Sequence, residues 1–344
     1  MIKPVISVVM PCYNVAKYLP DAIESIMEQT FKEWELVIVD DCSTDETLSV
    51  AHRYAALDGR IRVFHLEQNT GSAHIPRNKA VKEAFGEWIH CLDADDFVDK
   101  DCLEKLYKRA METDADCIHQ TFQSITESRE ILSNRLPAAS FDFSQVISGE
   151  EACRMTIGGW KINANGGLIK KNTFIKALHD NKIAFANSNS DEITTRFVLL
   201  NSKLVAFCDT IYWRRENPTS ITRVVSISRF GFLPSYKYLS DVIKEYFPQD
   251  VALQQASESD LLQGLCNLSL LYEKYYFKIK KLERKNMLRI LREYWGKIDR
   301  KLVIASMSPC TRIMLTCNFE LFLLSVFLRK SISIVKLRFV KLFR

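Results

Sequence analysis

One pattern governs the first 120 residues: short apolar runs alternate with segments whose apolar residues recur at helical spacing. The runs are ISVVM, ELVIVDD, IRVFHL and EWIHC, and between and after them lie AKYLPDAIESIMEQT, ETLSVAHRYAAL, GSAHIPRNKAVKEAF and DCLEKLYKRAM. A run that is apolar at nearly every position buries both its faces, as a strand inside a parallel sheet does. Parallel neighbours need a crossover, and a helix supplies it. The pattern therefore predicts an α/β fold built on a doubly wound, mostly parallel sheet, with DCIHQTF as a fifth strand. Such sheets bind ligands beyond the carboxyl ends of their strands. Here those ends carry Pro11-Cys12-Tyr13-Asn14, Asp40-Asp41-Cys42-Ser43 and Asp93-Ala94-Asp95-Asp96, so polar and acidic residues gather on one edge.

Three carboxylates within residues 93–96 repel one another unless a cation offsets them. Mg²⁺ and Mn²⁺ take oxygen ligands and share them with a diphosphate. The plainer alternative is a solvated acidic turn in which Asp99 caps the next helix. Asp40 and Asp41 suit hydrogen bonding to ribose hydroxyls or base N–H groups, or a turn capped by Asp41, Ser43 and Thr44. No GxGxxG follows the first strand and no GxxxxGK[ST] occurs, which argues against a dinucleotide fold and a P-loop NTPase.

VVMPCYNVAKYLPDAIESIMEQTFKEWELVIVDDCSTDET resembles the opening of the family 2 inverting glycosyltransferases, and NTGSAHIPRNKAVKEAFGEWIHCLDADDFVDKDCLEKL resembles their next block. The likeness is close over residues 5–110 and looser over 160–222. It implies the glycosyltransferase type-A fold, a nucleotide-sugar donor (a UDP-sugar) and a divalent metal, Mn²⁺ or Mg²⁺. It further implies that Pro11, Tyr13 and Asn14 line the nucleotide pocket, with Tyr13 against the base. Asp41 is similar to the acid that binds uracil or ribose, supported by Asp40. Arg77 would reach the nucleotide or its phosphates, and Pro76 before it departs from the usual alanine. Asp93 would contact ribose or sugar, Asp95 would hold the metal, and Asp96 could share either task.

The resemblance also implies a general base on a later helix. Spacing back from VAFCD and Tyr212-Trp213-Arg214 places it at Asp191, with Glu192 as rival; Ser190 stands where the family has Glu. An acceptor hydroxyl is a weak nucleophile and needs a carboxylate to take its proton. Two other readings differ in class: a sugar nucleotidyltransferase, which VVMPCYNVAK does not suit for want of a Gly-rich loop, and a catalytically inactive sugar-nucleotide-binding assembly protein, which the intact Asp93, Asp95 and Asp191 oppose.

With 344 residues, the sequence is expected to divide into a catalytic domain over 1–222 and a helical region over 223–344. Residues 123–165 read as irregular. The ten cysteines include no Cys-x-x-Cys pair, so zinc is not expected and free thiols are. MIKPVISVVMPCYN reads as a buried strand, not a signal peptide, and no apolar stretch is long enough to span a bilayer. The end of the chain is basic: IMLTCNFELFLLSVFL, broken by Asn318 and Glu320, is followed by RKSISIVKLRFVKLFR with six cations and no acid. This reads as an interfacial amphipathic segment on an anionic membrane surface, with a core-packed helix as the alternative. Its cations are interleaved with Ile, Leu, Val and Phe, so no nucleic-acid partner is expected. A cytoplasmic enzyme at the inner membrane face, acting on a saccharide or lipid-linked saccharide acceptor, follows by analogy.

Overall fold

The structure is a computed structural model describing residues 3–137, 140–159, 161–162, 167–180, 190–216, 227–305, 318–324 and 326–327. It forms two compact units, Met1–Thr219 and Ser220–Arg344.

The first unit runs β1 (Ile6–Cys12), α1 (Leu19–Met27), β2 (Trp34–Asp40), α2 (Thr47–Leu57), β3 (Ile61–His65), α3 (His74–Glu83), β4 (Trp88–Cys91), β5 (Phe97–Val98), α4 (Cys102–Thr113), β6 (Cys117–Ile125), β7 (Ile131–Leu136), β8 (Val146–Ser148), α5 (Gly149–Arg154), β9 (Leu168–Lys170), α6 (Lys171–Asp180), α7 (Ser190–Asn201) and β10 (Leu204–Arg215). The sheet order is β3-β2-β1-β4-β9-β6-β10-β5, with β7 on β6 and β8 on β10. β3, β2, β1 and β4 are mutually parallel, as the continuous apolar runs predict, and every residue of β1 and β2 is buried. Helix α1 lays Leu19, Ala22, Ile23 and Ile26 on that core, with Pro20 in its first turn, where a missing N–H costs nothing. Beyond β4 the sheet is mixed: β9 runs antiparallel between β4 and β6, while β10 is parallel to β6. The stretch that reads as irregular contains β7, β8 and α5.

Register positions the site. Cys12 pairs with Asp40, and Cys91 pairs with Val9, so residues 93–96 leave the sheet beside the end of β1. At the opposite, amino edge, buried Glu35 accepts from Ser7 Oγ (2.6 Å) and the Phe85 N–H, and pairs with Arg62 Nη1 at 2.9 Å. Gly86 closes over this group: a Cβ there would lie 2.7 Å from both the Ser7 nitrogen and Oγ.

The second unit holds α8 (Phe232–Tyr246), α9 (Val251–Lys274), α10 (Lys281–Lys297) and α11 (Arg300–Ala305). Its core includes Leu233, Leu261, Leu265, Met287, Leu291 and Trp295. Buried Glu258 accepts from the Asp299 N–H (2.7 Å) and pairs with Lys244 Nζ at 3.1 Å. Over its described part the terminal apolar stretch buries one face, while Leu321 and Leu324 stay about half exposed. Phe319, Phe322, Leu323 and Val326 are buried in this core, and Phe322 stacks on Trp295 with ring centroids 4.2 Å apart. Helical spacing gives the apolar face but not what covers it, and here α10 does. The basic segment 329–344 lies outside the described residues. Among the described residues, no helix is long and apolar enough to cross a membrane.

Candidate active site

The ends of β1 and β2 are tied into one platform. Asn14 and Cys42 both take positive φ (51° and 61°), which turns each chain sharply away from its strand. The Asn14 N–H donates to Ser43 Oγ (3.0 Å), and Thr44 N–H donates to Asn14 Oδ1 (2.8 Å). Asp40, fully buried, accepts from the Ser43 N–H (3.0 Å) and Oγ (2.5 Å), and lies 3.0 Å from His65 Nδ1. It is a fastening of the loop. Pro11 is buried in β1, whereas Tyr13 is 42% exposed at the edge. Asp41 faces the loop after β3: the Thr70 N–H donates to both its oxygens (3.0 and 3.1 Å) and Thr70 Oγ1 to one (3.0 Å). Burial, with Asp40 nearby, raises its pKa, and the Thr70 bonds oppose the rise. Asn69 fixes that loop through the Asp41 carbonyl (3.2 Å), and Gly71 takes φ 72°, suited to glycine. Thr70 is a site residue that sequence reading did not single out, although it lies inside the NTGSAHIPRN block.

Helix α3 starts at His74, so Pro76 falls in its first turn and the helix is undisturbed. Its first backbone bond, Arg77 N–H to Ala73 O (3.0 Å), directs Arg77 toward the acidic turn. Buried Arg77 donates through Nη2 to Asp93 Oδ1 at 2.9 Å, which makes it a clamp on Asp93. The Asp93 N–H donates to the Tyr212 hydroxyl oxygen (2.9 Å), and Tyr212, fully buried, stacks on Phe122 at 4.3 Å.

The three carboxylates of 93–96 thus separate. Asp93 meets Arg77. Asp96 turns inward, 3% exposed, and accepts the Arg215 N–H at 2.8 Å. Burial pushes its pKa well above the carboxylate range, and the charges of Asp95 and Asp93 push the same way. Asp95 stays half-buried at the edge. Next in the chain, Asp99 accepts from Trp213 Nε1 (2.7 Å) and so ties β10 under the turn. No group of three or more His, Cys, Asp or Glu among the described residues forms a complete metal cage. Mg²⁺ takes one or two protein carboxylates and completes its shell with phosphate and water, and Asp95 is a half-buried carboxylate of this turn that could serve it.

Asp191 falls in the first turn of α7, and its side chain lies outside the described residues. Its rival Glu192 is committed: its carboxylate pairs with Arg196 Nη1 at 3.3 Å, and Arg196 is itself held by the Thr156 carbonyl (2.8 Å) and Oγ1 (3.0 Å).

Residues 7–161 match the family described as Glycosyl transferase family 2. Over 221 residues the chain is 34% identical to glycosyltransferase GlyG of Streptococcus pneumoniae serotype 4, covering 63% of this chain and 73% of GlyG. The chain is a family 2 glycosyltransferase. The transferase is also 31% identical over 264 residues to the poly(ribitol-phosphate) beta-N-acetylglucosaminyltransferase TarP of Staphylococcus aureus, spanning 74% of this chain and 76% of TarP. The crystal structure of S. aureus TarS 1–349 in complex with UDP-GlcNAc superposes with a TM-score of 0.67 at 21% identity, covering 90% of this chain and 86% of that one. The enzyme therefore has the type-A fold, with a helical C-terminal region.

Proposed function

We propose that the enzyme transfers a sugar from a UDP-sugar, with inversion, to a saccharide or lipid-linked saccharide during cell-surface polysaccharide synthesis. The observation that carries this reading is the convergence of Tyr13, Asp41 with Thr70, and the 93–96 turn on one edge of adjacent parallel strands. The relatives point the same way: TarP is named for N-acetylglucosaminyl transfer and TarS was crystallised with UDP-GlcNAc. We assign catalysis to residues 1–222 and an accessory role to 223–344.

Tyr13 packs against the base. The carboxylate of Asp41, oriented by Thr70, accepts a base or ribose donor with its remaining lone pairs. Asn14 holds the floor of this pocket and Asp40 fixes it from beneath. Asp93, held by Arg77, takes ribose or donor-sugar hydroxyls. Asp95 holds the divalent cation, Mn²⁺ or Mg²⁺, which when bound offsets charge on the diphosphate. Asp96 stands behind it as a buried wall that keeps the turn closed on Arg215. Asp191 accepts the proton of the attacking hydroxyl, because Glu192 is spent on Arg196. A lipid-linked acceptor places the enzyme on the cytoplasmic face of the membrane, where cations of the terminal segment favour an anionic surface.

Turnover of a panel of UDP-, GDP- and TDP-sugars with Mn²⁺ or Mg²⁺ tests the reading. Selective hydrolysis of a UDP-sugar is expected, and preference for a GDP- or TDP-sugar would overturn the donor assignment.

A further inference from the structure

We propose that the turn joining α9 to α10 docks the enzyme on an anionic lipid surface, with Phe277 entering the headgroup layer and the surrounding lysines meeting lipid phosphates. Phe277 is 96% exposed, the most exposed large apolar side chain among the described residues, and Leu282 beside it is 72% exposed. A fully exposed Phe in a basic turn offers a small apolar wedge, and Leu282, five positions on, is a second exposed apolar side chain. In sequence it is followed by the cations Lys278, Lys280, Lys281, Arg284 and Lys285 with the acid Glu283, and preceded by Lys274 and the acid Glu273. Lys278, Lys280, Lys281 and Lys285 are all exposed.

The turn is built to hold this tip outward. Ile279 is buried in the helical core, and the Lys278 and Ile279 N–H groups both donate to the Tyr275 carbonyl (2.9 and 3.2 Å). Arg284 stacks over the Tyr276 ring (4.4 Å) and donates to the Tyr276 carbonyl (3.3 Å). Phe277 is thus the outermost side chain of a braced turn.

The chemistry selects the partner. A second copy meeting this face across a two-fold axis would set like charges against each other. A protein interface of standard size buries about 800 Å² per partner around an apolar centre, and one Phe and one Leu among lysines offer too little. A bilayer surface needs only a small apolar wedge beneath a plane of negative charge. This rests on the peripheral-membrane part of the proposed function and deepens it, adding a described turn to the contact assigned there to the terminal segment.

Vesicle flotation of the full chain tests it, with phosphatidylcholine vesicles made with and without phosphatidylglycerol. The chain is expected to float only with phosphatidylglycerol. Lys280→Gln with Lys281→Gln should weaken binding by roughly fivefold per lysine, and Phe277→Ser by about tenfold. Phe277→Trp should blue-shift its emission on vesicle addition. Neutralising Lys336, Arg338 and Lys341 to Gln should leave the turn's share of binding intact. Unaltered flotation of the turn variants, with loss only in the tail variant, would overturn the turn as the docking site and leave peripheral attachment standing. No flotation by any form would overturn both. A Phe277-dependent dimer without vesicle binding would replace the lipid by a second copy. Because Phe277 and both lysines are exposed, unchanged melting of the variants is the control that they fold.

Discussion

The two edges of the central sheet handle carboxylates in opposite ways. At the amino edge, Glu35 meets a full set of partners: Ser7, the Phe85 N–H and Arg62. At the carboxyl edge, three carboxylates stand within residues 93–96, and Asp96 is pushed well above its ordinary pKa by burial and by its two neighbours. A satisfied buried ion pair serves the fold, and removing one partner strands the other. A crowded acidic turn costs stability and is kept where a cation and a polyanion are to be bound. Along one sheet, the amino edge sets one carboxylate among an arginine, a hydroxyl and an N–H, whereas the carboxyl edge crowds three carboxylates into four residues.

The largest expected effect comes from the proposed general base. Asp191→Asn should lower kcat by about 10²–10⁴-fold while leaving UDP affinity and melting temperature unchanged, because the amide keeps size but takes no proton. Steady-state kinetics beside Glu192→Gln decides the assignment. If Glu192→Gln abolishes turnover and Asp191→Asn does not, the base is Glu192.

The amino edge should answer in stability instead. Glu35→Ala takes the acceptor from Ser7 and from the Phe85 N–H, while Arg62 keeps the Glu83 carbonyl, and should cost about 3 kcal/mol, read as a fall in denaturation midpoint. Whatever remains folded should bind UDP normally. A stable variant with impaired UDP binding would break the division between the edges.

The smallest effect sharpens it most. Asp96→Asn keeps an oxygen for the Arg215 N–H but removes a charge that burial opposes, so it should leave stability unchanged or raise it by about 1 kcal/mol at neutral pH. The sign follows from the raised pKa. The folded state holds the Asp96 proton more tightly than the unfolded chain does, so wild-type stability declines as pH rises from the ordinary carboxylate range through the raised value. The advantage of Asn should therefore shrink in acid, and melting curves at several pH values would record it. A loss of stability at neutral pH would mean that Asp96 is matched as Glu35 is.

Much of this was legible in the sequence because buried parallel strands write their burial as continuous apolar runs. β1, β2, β3 and β4, and the edge their ends define, follow from that alone. What lay hidden depends on distant partners. β9 is three residues long, and its place between β4 and β6 is set by neighbours, not by its own pattern. β10 runs on through Asp209 to Arg215 past a bulge, with polar residues that no apolar run marks. Asp93, Asp95 and Asp96 look equivalent in sequence. They diverge because Arg77 and the Arg215 N–H, 16 and 119 positions away, take two of them. The terminal apolar stretch has the period of an interfacial helix, and only Trp295 and its neighbours show that Phe319, Phe322, Leu323 and Val326 are core.

Calorimetry of UDP binding tests the central claim most directly, on wild type and Asp95→Ala, with Mn²⁺ and then with EDTA. If Asp95 holds the cation, as proposed, the diphosphate would be bound with its help, so affinity should fall sharply on either treatment, and EDTA should add nothing to Asp95→Ala. Equal affinity in all four conditions would contradict it, and the acidic turn would then have no part in holding the donor.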